Sequence, residues 1–129
     1  GTIHSFDSMP IMNLLRGVFK NIGYKFDFPC SEGNLYADGG KKKNGIGWHG
    51  DSERRRVLAM RMGMNPSMSF YYKWQYKNND IGKLMICKIN AGDVMVMSEW
   101  AVGSEWKDKN QITLIHSTGA PKYVKNKSD

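Results

Sequence analysis

Cysteine is scarce in this chain, and long apolar runs are missing from it. Its two cysteines, Cys30 and Cys87, lie far apart without Cys-x-x-Cys spacing. This pattern indicates neither a disulfide framework nor a zinc knuckle, so we expect free thiols in a reducing compartment. No stretch approaches the roughly 20 apolar residues that cross a bilayer, and residues 1–10 lack the build of a signal peptide. We therefore expect a soluble, intracellular protein with no membrane partner.

The sequence also lacks internal repeats, low-complexity tracts and linkers. A chain of 129 residues with 40% hydrophobic content is long enough to bury one core. We predict a single domain over residues 1–129, monomeric, with a flexible tail from about residue 122.

Acidic residues are outnumbered by basic ones. Nineteen Lys and Arg stand against twelve Asp and Glu, which gives a formal net charge of +7. Such a balance favours a polyanionic partner. A merely solubilising surface is the alternative interpretation. Part of the excess is concentrated in two clusters, one of Lys41, Lys42 and Lys43 and the other of Arg54, Arg55 and Arg56.

Apolar periodicity predicts one helix followed by strands. Residues 11–22 carry apolar side chains at helical spacing, with Pro10 near the start, Gly23 past the end and Ser8 as a candidate cap. The period then changes to two over residues 57–62, 68–76, 83–89, 93–98 and 111–117. We interpret the aromatic face of 68–76 as core. The pattern predicts a mainly β fold, an antiparallel sandwich or barrel with a flanking helix.

The segment GIGWHGDSERRR, Gly45–Arg56, places His49 and Asp51 on either side of one glycine. Alternate residues of a strand face the same way, so a His-x-Asp pair that leaves a strand can direct both side chains to one point. Imidazole nitrogen and carboxylate oxygen are two thirds of the two-histidine, one-carboxylate triad that binds Fe(II). Such tripeptides also arise by chance, and a histidine hydrogen-bonded in a loop is the alternative.

The longer segment NLYADGGKKKNGIGWHGDSE, Asn34–Glu53, resembles the part of the AlkB family of Fe(II)- and 2-oxoglutarate-dependent dioxygenases that carries the proximal metal ligands. The shared order is an Asn-x-Tyr strand, a glycine-rich turn and a His-x-Asp segment, within a resemblance over about residues 9–119. It implies a double-stranded β-helix core, a jelly roll of the cupin-like kind, with Fe(II) and 2-oxoglutarate as cofactors. His49 and Asp51 would bind the iron, and Asn34 and Tyr36 would reach 2-oxoglutarate from a neighbouring strand.

The chain departs from the family pattern after the Gly-Asp turn at residues 92–93. The family has a second histidine and then two arginines after this turn. In this chain the only histidine after the turn is His116. The third ligand would be Asp108 or His116. Strand alternation turns His116 away from the side of Lys109 unless a bulge intervenes. Lys109 takes the position of the arginine that binds 2-oxoglutarate, and Ile115 takes that of the second arginine.

The resemblance implies a DNA-repair type of chemistry, the oxidative demethylation of alkylated bases with release of formaldehyde. A base must leave the stack to reach a buried iron, so we expect an alkylated single strand as substrate. The two basic clusters flank the metal segment, where they could bind nucleic-acid phosphates. The candidate phosphate-binding residues are Lys41, Lys42, Lys43, Arg54, Arg55 and Arg56.

Two other functions fit the sequence. The chain could be a 2-oxoglutarate-dependent hydroxylase of a protein or a small molecule, although the basic clusters argue against this. It could also be a catalytically degenerate barrel that only binds nucleic acid or a partner. The missing second histidine and Ile115 favour the degenerate barrel.

Overall fold

The computed structural model describes residues 2–21, 28–37, 41–63 and 67–125. The chain forms two compact units, Gly1–Asn34 and Leu35–Asp129. The single domain expected from the sequence stays a prediction. None of the helices among the described residues is long and apolar enough to cross a membrane.

The first unit contains a 3-10 turn, Phe6–Ser8, and helix α1, Pro10–Asn21. The predicted helix is confirmed, with proline at its first position, where a missing N–H costs no hydrogen bond. Ser8, the candidate cap, is not at the cap position, because α1 begins at Pro10 and Met9 directly precedes it. The Ser8 hydroxyl donates instead to the Ser5 carbonyl at 2.7 Å. Ile22 and Gly23 lie outside the described residues.

The described residues of the second unit form six antiparallel strands and two short helices. In chain order these are β1 Gly45–His49, β2 Val57–Met60, β3 Met68–Tyr76, β4 Asn79–Ile89, β5 Val94–Met97, α2 Glu99–Val102, β6 Thr113–Gly119 and α3 Pro121–Val124. The strands form a four-stranded sheet in the order β1-β6-β3-β4 and a two-stranded sheet of β2 and β5. The mainly β, antiparallel prediction is confirmed.

Each of the five predicted strands has a counterpart, and β3 has the predicted bounds. Strand β4 starts at Asn79 rather than at residue 83 because the turn is shorter than the polar run KNNDIG suggests. Lys77 and Asn78 alone make the turn, with φ of 49° and 63°. Two consecutive residues with positive φ are what a tight β-hairpin requires. The tail predicted from about residue 122 begins inside α3, and residues 126–129 lie outside the described part.

The core of the second unit lies between the two sheets. It includes Tyr72 of β3, Met95 and Met97 of β5, and Leu114 of β6, with Val57 of β2 packed against it. The Tyr72 hydroxyl donates to Met95 Sδ at 3.6 Å, which joins the sheets directly. The aromatic face of β3 is therefore core, as predicted. Its other face is also covered, because Lys73 and Gln75 are buried.

Candidate metal centre

Three ligand-type side chains meet at one edge of this core. His49, Asp51 and His116 each present a donor atom, and these atoms lie within 4.8 Å of one another. The carboxylate of Asp51 lies beside both rings, with Oδ1 3.7 Å from His49 Nε2 and Oδ2 3.6 Å from His116 Nε2. These separations exceed ordinary hydrogen-bond lengths. The three side chains, which we call the histidine–aspartate cluster, thus surround a common point.

An irregularity in β1 brings His49 to His116. Ile46 pairs with Thr118 and His49 pairs with His116, so three steps along β1 match two along β6. Regular pairing would have placed Trp48 opposite His116. A bulge of one residue re-aims the side chains that follow it. The two rings are consequently in contact, with centroids 4.4 Å apart and planes tilted by 59°.

Asp51 is positioned by backbone contacts just beyond β1. Its N–H donates to the Val102 carbonyl at 2.9 Å, and its own carbonyl accepts from the Arg54 N–H at 3.2 Å. Gly50 is buried against the Gly103 carbonyl and the Trp106 side chain, where a Cβ atom would overlap both. Glycine at the middle of the His-x-Asp segment is therefore required by this close approach.

The His49 ring is held in one orientation by its own strand. Its Nδ1 lies 2.7 Å from the Gly47 carbonyl, which can only accept, so Nδ1 carries the proton. Nε2 then presents its lone pair towards Asp51. A ligating histidine characteristically donates its other ring N–H to a carbonyl or carboxylate in this way.

The His116 ring is buried, at 4% exposure, beside Tyr72, whose ring centroid is 5.7 Å away. Burial and the neighbouring His49 lower the pKa of His116 to about 4, against the opposing effect of Asp51. The ring is therefore neutral at pH 7, which is the state that binds a metal. Its Nδ1 makes no hydrogen bond among the described residues, although the Ala101 backbone lies near enough to favour the protonated ring.

Of the two residues predicted for the third position, the structure brings His116 and not Asp108 to the cluster. Asp108 is exposed in the turn before β6, and its Oδ1 accepts from the Asn110 N–H at 2.8 Å. Lys109, predicted to bind 2-oxoglutarate, lines a cavity together with Ile115. Ile115 and His116 point to opposite faces of β6, so Lys109 lies away from the cluster, as the alternation predicts.

The Asn-x-Tyr segment is not a strand. Residues 34–36 are irregular, so the predicted strand is wrong. Asn34 is exposed and ends the first unit, whereas Tyr36 is half-buried in the second. Burial raises the pKa of Tyr36, and the charge of Arg61 opposes that rise. Their predicted contact with 2-oxoglutarate stays a prediction.

The lysine cluster before the metal segment is at the surface. Lys41, Lys42 and Lys43 are all exposed and form a bend that leads into β1. The Lys43 carbonyl accepts from the Tyr123 hydroxyl at 3.0 Å, which ties the end of this bend to α3. The three lysines are not part of the histidine–aspartate cluster. The predicted contact of Lys41, Lys42 and Lys43 with nucleic-acid phosphates stays a prediction.

The arginine cluster after the metal segment is closer to the site. Arg55 and Arg56 are exposed, and Arg54 is half-buried with its Nε 4.0 Å from Glu53 Oε1. The charge of Arg54 contributes to the lowered pKa of His116. Positive charge therefore reaches the histidine–aspartate cluster from the segment that follows Asp51. The predicted phosphate contacts of Arg54, Arg55 and Arg56 likewise stay a prediction.

The sequence did not predict the residues that contact and support the histidine–aspartate cluster. Tyr72 was identified only as core, although it stands directly opposite His116 in the β3–β6 pair. The contribution of α2 and Gly103, which hold Gly50 and Asp51, has no local sequence signal. The contact of Tyr72 with His116 and the contacts of α2 and Gly103 with Gly50 and Asp51 join segments that are distant in sequence, so they depend on the tertiary fold.

Comparison with known proteins finds similarity to an uncharacterized protein of Acanthamoeba polyphaga mimivirus. The two are 47% identical over 125 residues, which are 97% of this chain and 47% of the viral protein. The chain thus spans about half the length of the curated relative it matches. No family model matches the chain, and no solved structure matches it significantly. The geometry of the histidine–aspartate cluster is consequently the main evidence on function.

Proposed function

We propose that this chain carries the iron site of an Fe(II)- and 2-oxoglutarate-dependent dioxygenase resembling the AlkB family. The observation that carries the proposal is the convergence of His49, Asp51 and His116. Two histidines and one carboxylate with positions left open are the donor set of non-haem Fe(II) oxygenases. His116 supplies the second histidine, which the family pattern places differently in sequence.

The distances come close to those of donors that share a metal ion. Two donor atoms that each lie about 2.1 Å from one metal are at most about 4.2 Å apart. Both nitrogen–oxygen separations to Asp51, 3.7 Å and 3.6 Å, meet this limit. The two histidine donors lie within 4.8 Å, so a slight closure of the side chains completes the site. Asp51 supplies the negative charge that a divalent cation requires.

When bound, Fe(II) with 2-oxoglutarate would supply the oxidation of a substrate C–H bond. The chain's own residues orient the ligands and shield one side of the site. The Gly47 carbonyl keeps Nε2 of His49 directed at the cluster. Tyr72 and the buried ring of His116 close the inner side, because the His116 side chain is only 5% exposed. His49 and Asp51 are 28% and 18% exposed, so substrate must approach from their side.

The proposed substrate is an alkylated base in single-stranded nucleic acid. Arg54–Arg56 follow Asp51 closely in sequence, and Arg55 and Arg56 are exposed, so this segment can bind phosphates. A base reaches a partly buried metal only when it is out of the stack. The proposed architecture is a double-stranded β-helix, in keeping with two facing antiparallel sheets. Lys109 is not included in the proposed site.

The test is an anaerobic visible spectrum with Fe(II) and 2-oxoglutarate, in which a chelated 2-oxoglutarate gives a weak charge-transfer band. We expect the band in the parent chain and its loss in His49→Ala and His116→Ala. His4→Ala is the matched control, because His4 is the remaining histidine and is exposed. Asp108→Ala should also keep the band. A band that survives His116→Ala but disappears in Asp108→Ala would overturn the assigned ligand set.

Substrate class is tested separately in air. Methylated single-stranded oligonucleotides should increase succinate formation and release formaldehyde, and unmethylated strands of the same sequence should not. If succinate forms but methylated strands release no formaldehyde, the proposed iron site stands and the proposed nucleic-acid substrate is wrong.

A further inference from the structure

A cavity of about 240 Å³ lies on the sheet face opposite the histidine–aspartate cluster. Lys73 and Ile115 pair across β3 and β6 and line this cavity, whereas Tyr72 and His116, the next pair, point to the other face. We call it the lysine–tryptophan pocket. Its characteristic residues are Trp48, Lys73, Gln75, Trp106, Lys107 and Lys109. It shares no lining residue with the cluster.

Lys73 places a positive charge inside the pocket wall. The residue is only 4% exposed, and lysine is rarely buried unless it is paired. Its Nζ donates to Asp80 Oδ2 at 2.7 Å and lies 4.2 Å from the centre of the Trp48 ring. A lysine ammonium has three donors, so Asp80 leaves capacity for a further acceptor. A cation held out of water attracts an anion more strongly than an exposed one does.

Two further lysines stand at the rim of the pocket. Lys107 and Lys109 are exposed, and within the described part of the chain neither forms an ion pair. Asp108, between them in sequence, accepts from the Asn110 backbone. Three lysines therefore face one lining carboxylate, Asp80, and the pocket carries a surplus of positive charge.

Both tryptophans of the pocket are anchored, Trp48 through its indole and Trp106 through its backbone. Trp48 Nε1 donates to the Lys125 carbonyl at 3.1 Å. The Trp106 carbonyl accepts from Gln75 Nε2 at 2.7 Å, and the same amide lies 3.2 Å from Thr113 Oγ1. Aromatic side chains beside a basic groove are the combination with which proteins bind single-stranded nucleic acids.

We propose that the lysine–tryptophan pocket binds a nucleotide, with its phosphate at the three lysines and its base against the two tryptophans. An acidic peptide would satisfy the lysines but would leave the aromatic walls without a matching group. At about 240 Å³ the pocket is smaller than typical ligand sites, so it encloses only part of one nucleotide, which is either free or part of a strand. This binding requires no metal and does not depend on the proposed dioxygenase activity.

The test is a tryptophan-fluorescence titration of the chain in EDTA and low salt. The probes are thymidine monophosphate, unmodified oligothymidylate, inorganic phosphate and polyglutamate. Both nucleotide probes should change the emission, because Trp48 and Trp106 line the pocket. In the double variant Lys107→Ala/Lys109→Ala, the Kd for oligothymidylate should rise at least tenfold. The slope of log K against log salt should fall in magnitude by about 1.4 for the two lost contacts.

The matched control is Lys83→Ala/Lys88→Ala, which removes equal charge from exposed positions of β4 outside the pocket. It should change the Kd less than about twofold. Equal affinity for the mononucleotide and the strand would identify a free nucleotide as the ligand, and tighter strand binding would identify nucleic acid.

The proposal is overturned if the lysine double variant binds as the parent does, or if neither nucleotide changes the emission. It is also overturned if phosphate or polyglutamate binds as tightly as the nucleotides. His49→Ala should bind both nucleotides normally, so a failure of the iron site leaves this result unchanged.

Discussion

His49 stands directly opposite His116 in the β1–β6 pair because β1 contains one residue more than β6 over the same span. This bulge brings a histidine, rather than Trp48, to face His116. Asp51 follows two residues later, and its two carboxylate oxygens lie 3.7 Å and 3.6 Å from Nε2 of His49 and of His116, respectively. The proposed metal centre is thus a product of strand register as much as of the His-x-Asp motif.

Substitution of Gly50 should disrupt the cluster without removing a ligand. In Gly50→Ala the new Cβ would overlap the Gly103 carbonyl and the Trp106 side chain. We expect a loss of about 1–3 kcal/mol in the free energy of unfolding, typical of overpacking, together with weaker metal binding. Urea unfolding and a metal titration measure the two effects. Gly47→Ala is the control, since a Cβ there meets nothing within 4 Å. Equal behaviour of the two variants would contradict the steric argument.

A divalent metal should stabilise the folded chain. Because binding to the native state alone adds RT ln(1 + [L]/Kd), a metal at about 100 times its Kd should add about 2.7 kcal/mol. The rise in Tm should disappear in Asp51→Asn, which removes the negative charge beside the two histidines. It should also disappear on addition of a chelator. Anaerobic thermal unfolding with and without Fe(II) measures it. An unchanged rise in Asp51→Asn would contradict the role of that carboxylate.

The metal-free chain should lose stability on acidification. The pKa of His116 is lowered to about 4 in the folded state, against about 6.5 for an unfolded histidine. Between these pH values the unfolded chain binds a proton that the folded chain does not, so stability falls as pH falls from 6.5 to 4. The total is on the order of 3 kcal/mol, from 1.36 kcal/mol per pKa unit.

Urea unfolding in EDTA at pH 7 and pH 5 measures this dependence. His116→Gln should flatten it, and His4→Gln should leave it as it is. If His116→Gln loses as much stability between pH 7 and pH 5 as the parent does, the pH dependence arises from other groups.

The Lys73–Asp80 pair should stabilise the fold through its burial. Lys73 Nζ lies 2.7 Å from Asp80 Oδ2, with the two side chains 5% and 31% exposed. Asp80→Ala leaves the buried ammonium without its carboxylate, so we expect a loss of about 3 kcal/mol in the free energy of unfolding. The double variant Lys73→Met/Asp80→Leu should recover most of it. Equal stability of Asp80→Ala and the parent would show that the pair contributes nothing.

The predictions from sequence succeeded where the signal was local. Helix α1 was recognised from its apolar spacing, and β3 from its alternation, with the correct bounds. The aromatic face of β3 was correctly assigned to the core, because alternate residues of a strand share one face and the apolar face is the one that is buried. The other face of β3 carries Lys73 and Gln75. Trp48 and Trp106, which are distant in sequence, lie beside these two residues. The periodicity of β3 alone cannot predict which residues pack against that face.

The third member of the cluster could not be chosen from the sequence. Asp108 and His116 were both candidates, since an alignment by motif cannot fix how many residues the turn before β6 contains. In the structure the connection from α2 to β6 takes residues 103–112, and β6 begins at Thr113, so that His116 pairs with His49. The alternation that separates His116 from Lys109 was predictable, because it requires only a regular strand.

The central claim, that His49, Asp51 and His116 hold one metal ion, is tested most directly by anaerobic equilibrium dialysis against Fe(II), followed by metal analysis. We predict one ion per chain in the parent, His4→Ala and Asp108→Ala, and less than about a tenth of that in His49→Ala and His116→Ala, with each variant shown to be folded by circular dichroism. Full retention of the ion in folded His116→Ala would contradict the account.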